Sequence, residues 1–171
     1  DFPVNKITIY PDYRNNPREL AAIRATIESV KDDPYATITE VWIKGFASPE
    51  GTYANNTYLA ENRAKALRDY VKSLYRFEHA TFSVDFEPED WEGLEKRLEE
   101  MNLPDKAELL AIIRNPEPRD MDKKELKLKT LNGGTSYKIL LRDIYPALRH
   151  SDYVVKYHIR NFTAEEAKSL I

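Results

Sequence analysis

Segments with the spacing of a strand alternate with segments with the spacing of a helix along this chain, and that order limits the possible folds. Four segments have the alternating, β-branched and aromatic pattern of strands: residues 2–10, 37–46, 81–86 and 153–159. Segments with helical spacing connect the first three of these strands, so the predicted order is βαβαβ, a long insertion and a last strand. Helical crossovers between successive strands predict an α/β (α+β) sandwich, with helices packed on one side of a mixed four-stranded sheet.

Local signals predict where the two crossover helices begin and end. Asn16 is expected to cap the first helix, with Pro17 at its first position, and the helix is expected to stop at Asp32. Thr52 is expected to cap the second helix, which should run to about Leu74.

The composition is that of an ordinary globular domain. The 171 residues are 42% hydrophobic and 32% charged, which is enough to bury a core without disulfide bonds. The net charge is -3, and its scattered Lys and Arg form no basic stripe for nucleic acid. Cysteine is absent, and no run approaches the roughly 20 apolar residues that cross a bilayer. Asp1 begins inside a strand-like segment, so we expect this chain to be a piece of a longer protein.

The stretch between the third and fourth strands is predicted to be a helical insertion at about residues 88–150. Apolar residues recur there at helical spacing, and prolines separate the pieces. We therefore expect one domain at residues 1–162 that carries this insertion. Thr163 and Glu166 form a capping box, which predicts that residues 163–171 start a helix leading to a further domain.

The most specific pattern runs from Gly45 to Val71 and reads GFASPEGTYANNTYLAENRAKALRDYV. It resembles the signature of the OmpA-like domain, the C-terminal domain of outer-membrane protein A, which is Gly-aromatic-Thr-Asp-x-x-Gly-x4-Asn-x2-Leu-x3-Arg-Ala. The matching positions, without a gap, are Gly45, Phe46, Gly51, Asn56, Leu59, Arg63 and Ala64. Ser48, in an Ala-Ser-Pro-Glu-Gly loop, stands where the family has Asp.

A second segment supports the resemblance at the start of the chain. The family opens with Phe-x-hydrophobic-Asp/Asn-Lys-x-Thr-Ile/Leu, and the residues in those places are Phe2, Val4, Asn5, Lys6, Thr8 and Ile9. The resemblance implies the OmpA-like fold with an added insertion. It covers about the first 75 residues, because the family's Gly-x-Gly-Glu after the third strand is replaced here by Asp85-Phe86-Glu87-Pro88.

The resemblance implies a non-catalytic module that anchors its parent protein to peptidoglycan by binding the diaminopimelate of the stem peptide. It also implies a periplasm-facing, outer-membrane-associated place in a Gram-negative cell envelope, without cofactor or metal. Arg63 would grip the ligand's carboxylate with its planar fork. Ser48 offers the ligand's ammonium only a hydroxyl, so Glu50, Asn5 or Asp85 would have to supply the acceptor. The implied ligand-binding residues are Arg63, Asn56, Ser48, Glu50, Ala47 and Asn5.

Other roles stay open for the same residues. Arg63 could be a surface cation paired with Glu61 or Asp69, and Asn56 could simply bond loop backbone. The main functional alternative is a protein-interaction or scaffold domain of an outer-membrane-associated protein that has lost the peptidoglycan site. Ser48, the insertion and a tyrosine count of 11 support it. In that case the insertion should carry an exposed apolar patch, which could contact other envelope proteins.

Catalytic patterns are not found, so we do not expect an enzyme. His79, His150 and His158 lack the short helical spacing of a zinc motif. The sequence has neither a Gly-x-Ser-x-Gly elbow nor a phosphate-binding glycine loop.

Overall fold

The computed structural model of the protein describes residues 1–160, which form a mixed α/β structure. The strands in chain order are β1 (Ala36–Phe46), β2 (Thr81–Glu87) and β3 (Ser151–Ile159). The helices are α1 (Asn16–Lys31), α2 (Tyr53–Leu74), α3 (Trp91–Glu99), α4 (Lys106–Arg114), α5 (Met121–Thr130), α6 (Thr135–Asp143) and α7 (Tyr145–Leu148). A short 3-10 helix, Leu131–Gly134, precedes α6. The helix predicted at residues 163–171 lies outside the described residues.

The strand order in the sheet is β2-β1-β3. The central strand β1 runs parallel to β2 and antiparallel to β3, so that Trp42 lies opposite Ser83 on one side and Val154 on the other. The sheet is therefore mixed, as predicted, but it has three strands within residues 1–160 rather than four.

The prediction of a first strand at residues 2–10 is wrong. This segment has no regular secondary structure. Pro3 has no N–H to donate to a ladder, and Asn5 has a φ of 56°, which turns the chain. The carbonyls of Pro3 and Lys6 accept hydrogen bonds from the Arg63 side chain instead of from a neighbouring strand. The strand-like composition of this segment is thus overridden by a side chain from α2.

The two crossover helices cover one face of the sheet. Val41 and Ile43 of β1 are buried in one core with residues of both helices, namely Leu20, Ile23, Ile27 and Val30 of α1 and Ala64, Leu67 and Val71 of α2. On the opposite face Trp42 is 46% exposed. The prediction of helices on one side of the sheet is confirmed for α1 and α2.

Gly45 lets α2 pack directly on the end of β1. A Cβ at this position would lie 2.1 Å from the Ala60 carbonyl oxygen and 2.7 Å from the Ala64 nitrogen. Any side chain here would therefore push the helix away from the strand that precedes the loop at residues 47–52.

Thr52 caps α2 as predicted, because its side chain accepts a hydrogen bond from the Asn55 N–H at 3.1 Å. The cap predicted for α1 is wrong: Asn15 holds that position, and Asn16 is the first helical residue. The buried Asn16 amide donates to the carbonyls of Asp1 and Tyr10 and accepts from the N-terminal ammonium. Asn16 therefore fastens the N-terminal segment to α1.

The insertion is helical, as predicted, and has its own core. Its buried residues are Leu94, Leu98, Leu109, Leu110, Ile113, Leu128, Tyr137, Leu140, Ile144, Tyr145 and Leu148. Within residues 1–160, no helix combines the length and the apolar character needed to span a membrane.

Candidate functional site

A cavity of about 320 Å³ opens where the loop at residues 47–52 meets the insertion. We call it the junction cavity. Five of the six predicted ligand-binding residues line it: Asn5, Ser48, Glu50, Asn56 and Arg63. Polar side chains from the insertion and the segment before β3 complete the wall, and they are Glu125, Lys129, Tyr137 and Arg149. The fold thus brings together residues that are far apart in sequence.

Ala47 does not line the junction cavity. It is buried in a small cluster with Leu59 and Ala60, and its carbonyl accepts the Asp90 N–H at 2.9 Å. Its role is to join the loop to the start of α3.

Arg63 is 1% exposed and is held by backbone carbonyls. Its Nε donates to the Lys6 oxygen at 2.9 Å, its Nη1 to the Phe46 oxygen at 3.1 Å and its Nη2 to the Pro3 oxygen at 3.3 Å. Burial, followed by the nearby Arg149, lowers the pKa of Arg63 to about 10, so the guanidinium stays charged at neutral pH. The surface-cation alternative is wrong, since Glu61 pairs with Lys65 and Asp69 with Arg68.

Ser48, at the Asp position of the OmpA-like pattern, supports another side chain of the same loop, the carboxylate of Glu50. Its Oγ donates to Glu50 Oε1 at 3.1 Å. The same oxygen accepts hydrogen bonds from Nε and Nη2 of the buried Arg149 at 3.1 and 2.7 Å. Glu50 Oε2 has no hydrogen-bond partner within residues 1–160. Glu50 therefore points one oxygen at Arg149 and leaves the other available.

The other two candidate acceptors differ from Glu50. Asn5 lines the junction cavity, but its Oδ1 already accepts the Asn55 amide at 3.2 Å. Asp85 is exposed on β2 and accepts the Phe86 N–H at 2.8 Å, away from the cavity. Of the three acceptors that the sequence suggested for the ligand's ammonium, Glu50 is therefore the one acidic side chain that lines the cavity.

Asn56 has a clear structural role. It is buried, and its Nδ2 donates to the Glu50 carbonyl at 2.8 Å and to Glu89 Oε2 at 2.7 Å. It thereby fixes the loop that carries Glu50, which is the structural role left open for it by the sequence.

Two buried acids at this junction were not predicted. Glu89 accepts the Trp91 indole N–H at 3.1 Å besides the Asn56 amide, and burial raises its pKa. Glu125 accepts the Gly51 N–H at 3.2 Å and the Tyr137 hydroxyl at 3.4 Å. Burial, with the charge of Glu89, raises the pKa of Glu125 to about 7. Neither acid belongs to a motif, and only the docking of the insertion brings them to the loop.

A second cavity, of about 770 Å³, lies between α1, the N-terminal segment and the start of β3. Its polar groups include the pairs Asp1–Arg14 at 2.9 Å and His150–Asp152 at 3.5 Å. None of the predicted site residues lines it, so the smaller junction cavity is the candidate site.

No protein-family model matches this chain, and no curated protein matches it. The functional argument therefore depends on the sequence pattern and on the geometry of the junction cavity.

Proposed function

We propose that this domain is a non-catalytic cell-envelope module that anchors its parent protein to peptidoglycan by binding the diaminopimelate of the stem peptide in the junction cavity. One observation carries the proposal: five of the six residues implied by the OmpA-like pattern line a single cavity. The proposed periplasm-facing, outer-membrane-associated location in a Gram-negative envelope rests on that pattern alone.

The charges around the cavity suit a zwitterion. Diaminopimelate presents an ammonium beside a carboxylate, and Glu50 Oε2 is a free anionic acceptor for the ammonium. Ser48 and Arg149 hold Glu50 by its other oxygen, which fixes the direction of Oε2. The acidic role that the family gives to the position of Ser48 thus moves two residues along the loop.

Cationic groups for the ligand's carboxylate lie in the same wall. Arginine has five N–H donors, and Arg63 uses three of them on backbone carbonyls. Lys129 is exposed at the rim, and Arg149 approaches from the segment before β3. In this proposal Arg63 is a fixed positive charge beneath the ligand, and Arg149 and Lys129 contact the ligand's carboxylate.

Calorimetric titration with a diaminopimelate-containing muropeptide tests the proposal. We expect saturable binding that weakens at least tenfold in Glu50→Gln. Glu61→Gln is the matched control, because Glu61 lies on α2 outside the cavity lining and, among residues 1–160, forms an ion pair with Lys65. Thermal unfolding of each variant would show that the fold is retained. Absence of saturable binding by the unmodified domain, or full binding by Glu50→Gln, would contradict the proposal.

A second candidate function is a protein-interaction or scaffold domain that has lost the ligand site. The observation that favours it is the internal pairing of the two main charges, Arg63 with carbonyls and Glu50 with Arg149. Within residues 1–160, the insertion does not show the expected exposed apolar patch. Leu126 is the one large hydrophobic side chain of the insertion that is well exposed there. Trp42 and Val154 are both exposed and lie opposite each other on the face of the sheet away from α1 and α2, so they are the better candidate contact surface.

Photo-crosslinking in cells separates the two candidates. A photoreactive residue at Val154 should capture a specific envelope protein under the second candidate. The same residue at Tyr58, which is exposed on α2, should not. Capture at Val154 together with absent muropeptide binding would favour the scaffold role.

A further inference from the structure

We propose that Glu89, Asp122 and Glu125 form a binding site for a calcium ion that joins the loop at residues 47–52 to the insertion. Each side chain offers one oxygen, and these oxygens lie within 4.8 Å of one another. Glu125 also lines the junction cavity, but none of the three acids is a zwitterion contact proposed above, so neither proposal depends on the other.

The local structure places these oxygens together. Asp122 and Glu125 are three residues apart on α5, so they share one face of the helix. Glu89 lies just before α3 and is fixed by the Asn56 and Trp91 side chains. Asp122 and Glu125 also accept the backbone N–H groups of Tyr53 and Gly51, so the loop and the insertion already meet at this cluster.

The cluster lacks a positive charge. Glu89 is 3% exposed and Glu125 is 9% exposed. Their hydrogen-bond donors, the Asn56 amide, the Trp91 indole, the Gly51 N–H and the Tyr137 hydroxyl, are all neutral. Buried carboxylates without a cationic partner are strongly unfavourable unless they are protonated or bind a metal.

The nearby lysines do not neutralise the cluster. Lys124 donates its ammonium hydrogen to the Asn115 carbonyl at 2.9 Å and lies over the Trp91 ring. The charge of Lys129 has the smallest of the five effects on the pKa of Glu125. Within residues 1–160 the two side chains form no ion pair. A cation from solution would supply the missing charge.

A buried hydroxyl provides an independent indication of a ligand. Tyr145 is fully buried, and its hydroxyl has no hydrogen-bond partner within residues 1–160. Burial, followed by the charges of Tyr137, Glu125, Glu50 and Glu89, raises the pKa of this hydroxyl. Its ring packs edge-on against Tyr137, whose own hydroxyl donates to Glu125. A water bound to a cation in the cluster would accept the unused Tyr145 hydrogen.

The chemistry of the ligands selects calcium. Three carboxylates without His or Cys suit a hard cation and not zinc. Mg²⁺ is usually bound through one or two carboxylates and keeps several waters, so a set of three carboxylates favours Ca²⁺. Calcium also takes six to eight oxygens, which leaves places for water beside the junction cavity.

Trp91 provides a direct readout, because its indole donates to Glu89. In a Trp42→Phe background, after removal of metal with EDTA and exchange into chelator-free buffer, titration with CaCl₂ should change Trp91 fluorescence saturably. It should also raise the melting temperature. Asp122→Asn and Glu125→Gln should each weaken this binding at least tenfold, while Glu108→Gln, an exposed acid on α4, should leave it unchanged.

Glu125→Gln removes a buried charge and is expected to fold, so its loss of calcium binding can be interpreted. The proposal is overturned if millimolar CaCl₂ has no saturable effect on the unmodified domain. Calcium binding that survives in both Asp122→Asn and Glu125→Gln, or equal binding of MgCl₂, would overturn it as well. The titration contains no muropeptide, so its result is independent of the peptidoglycan test.

Discussion

Ser48 Oγ donates a hydrogen bond to Glu50 Oε1 at 3.1 Å, so this serine orients an acid of the same loop. Both side chains line the junction cavity, and Arg149 binds the same carboxylate oxygen. A serine at position 48 is therefore compatible with an acidic group at this wall.

Replacing Ser48 with Asp should destabilise the domain. The new carboxylate would lie next to that of Glu50 in a buried position, and like charges at this distance repel. We expect a loss of about 1–2 kcal/mol in the free energy of unfolding at pH 7, compared with about 1 kcal/mol for Ser48→Ala, which loses one hydrogen bond. Urea unfolding measures both. A Ser48→Asp variant that is as stable as the unmodified domain would contradict this prediction and show that the fold tolerates an aspartate at position 48.

Replacing Arg63 with Ala should release the N-terminal segment. The change leaves the carbonyls of Pro3, Lys6 and Phe46 without their donor, and we expect a loss of about 3–5 kcal/mol. Hydrogen exchange should become faster at residues 2–6, and urea unfolding gives the free energy. Arg68→Ala, an ion-paired side chain on the same helix, should change stability by no more than about 0.5 kcal/mol. Unchanged exchange at residues 2–6 would contradict this account.

Glu125 should make stability fall as pH rises. Its pKa is about 7 in the folded domain and 4.5 in the reference state, so the folded state holds the proton more tightly. The stabilisation is complete below about pH 4.5 and is lost as pH rises towards 7. In EDTA at pH 8, Glu125→Gln should be more stable than the unmodified domain by about 1–2 kcal/mol, with little difference at pH 4. Urea unfolding between these pH values checks the sign, and parallel curves for the two proteins would refute it.

Substitution of Gly45 by Ala should be costly because the new methyl group would meet the α2 backbone at 2.1 Å. We expect a loss of about 2–4 kcal/mol from this overpacking. Gly133→Ala is the control, since that position has a φ of 73° but open space around it, and should cost about 1 kcal/mol. Thermal unfolding compares the two variants, and equal losses would mean that the contact with α2 is not tight.

The predictions that held depended on local patterns. Thr52 caps α2 because a side-chain oxygen can accept from the N–H three residues on, whatever the rest of the fold does. Val41 and Ile43 alternate with Trp42 because successive strand residues point to opposite faces. The prediction of a strand at residues 2–10 failed because carbonyl groups of this segment accept hydrogen bonds from the Arg63 side chain. For Lys6, this donor lies 57 positions further along the chain.

The amino-acid sequence by itself determined the two crossover helices, strands β1, β2 and β3, and the loop residues that line the junction cavity, since hydrophobic period, caps and turn glycines act over a few residues. Only the tertiary structure decided what those residues do. The Glu50–Arg149 pair spans 99 positions, and the Gly51–Glu125 bond spans 74. Such contacts form when the insertion packs against the loop, and burial raises the pKa of Glu125 and lowers that of Arg63.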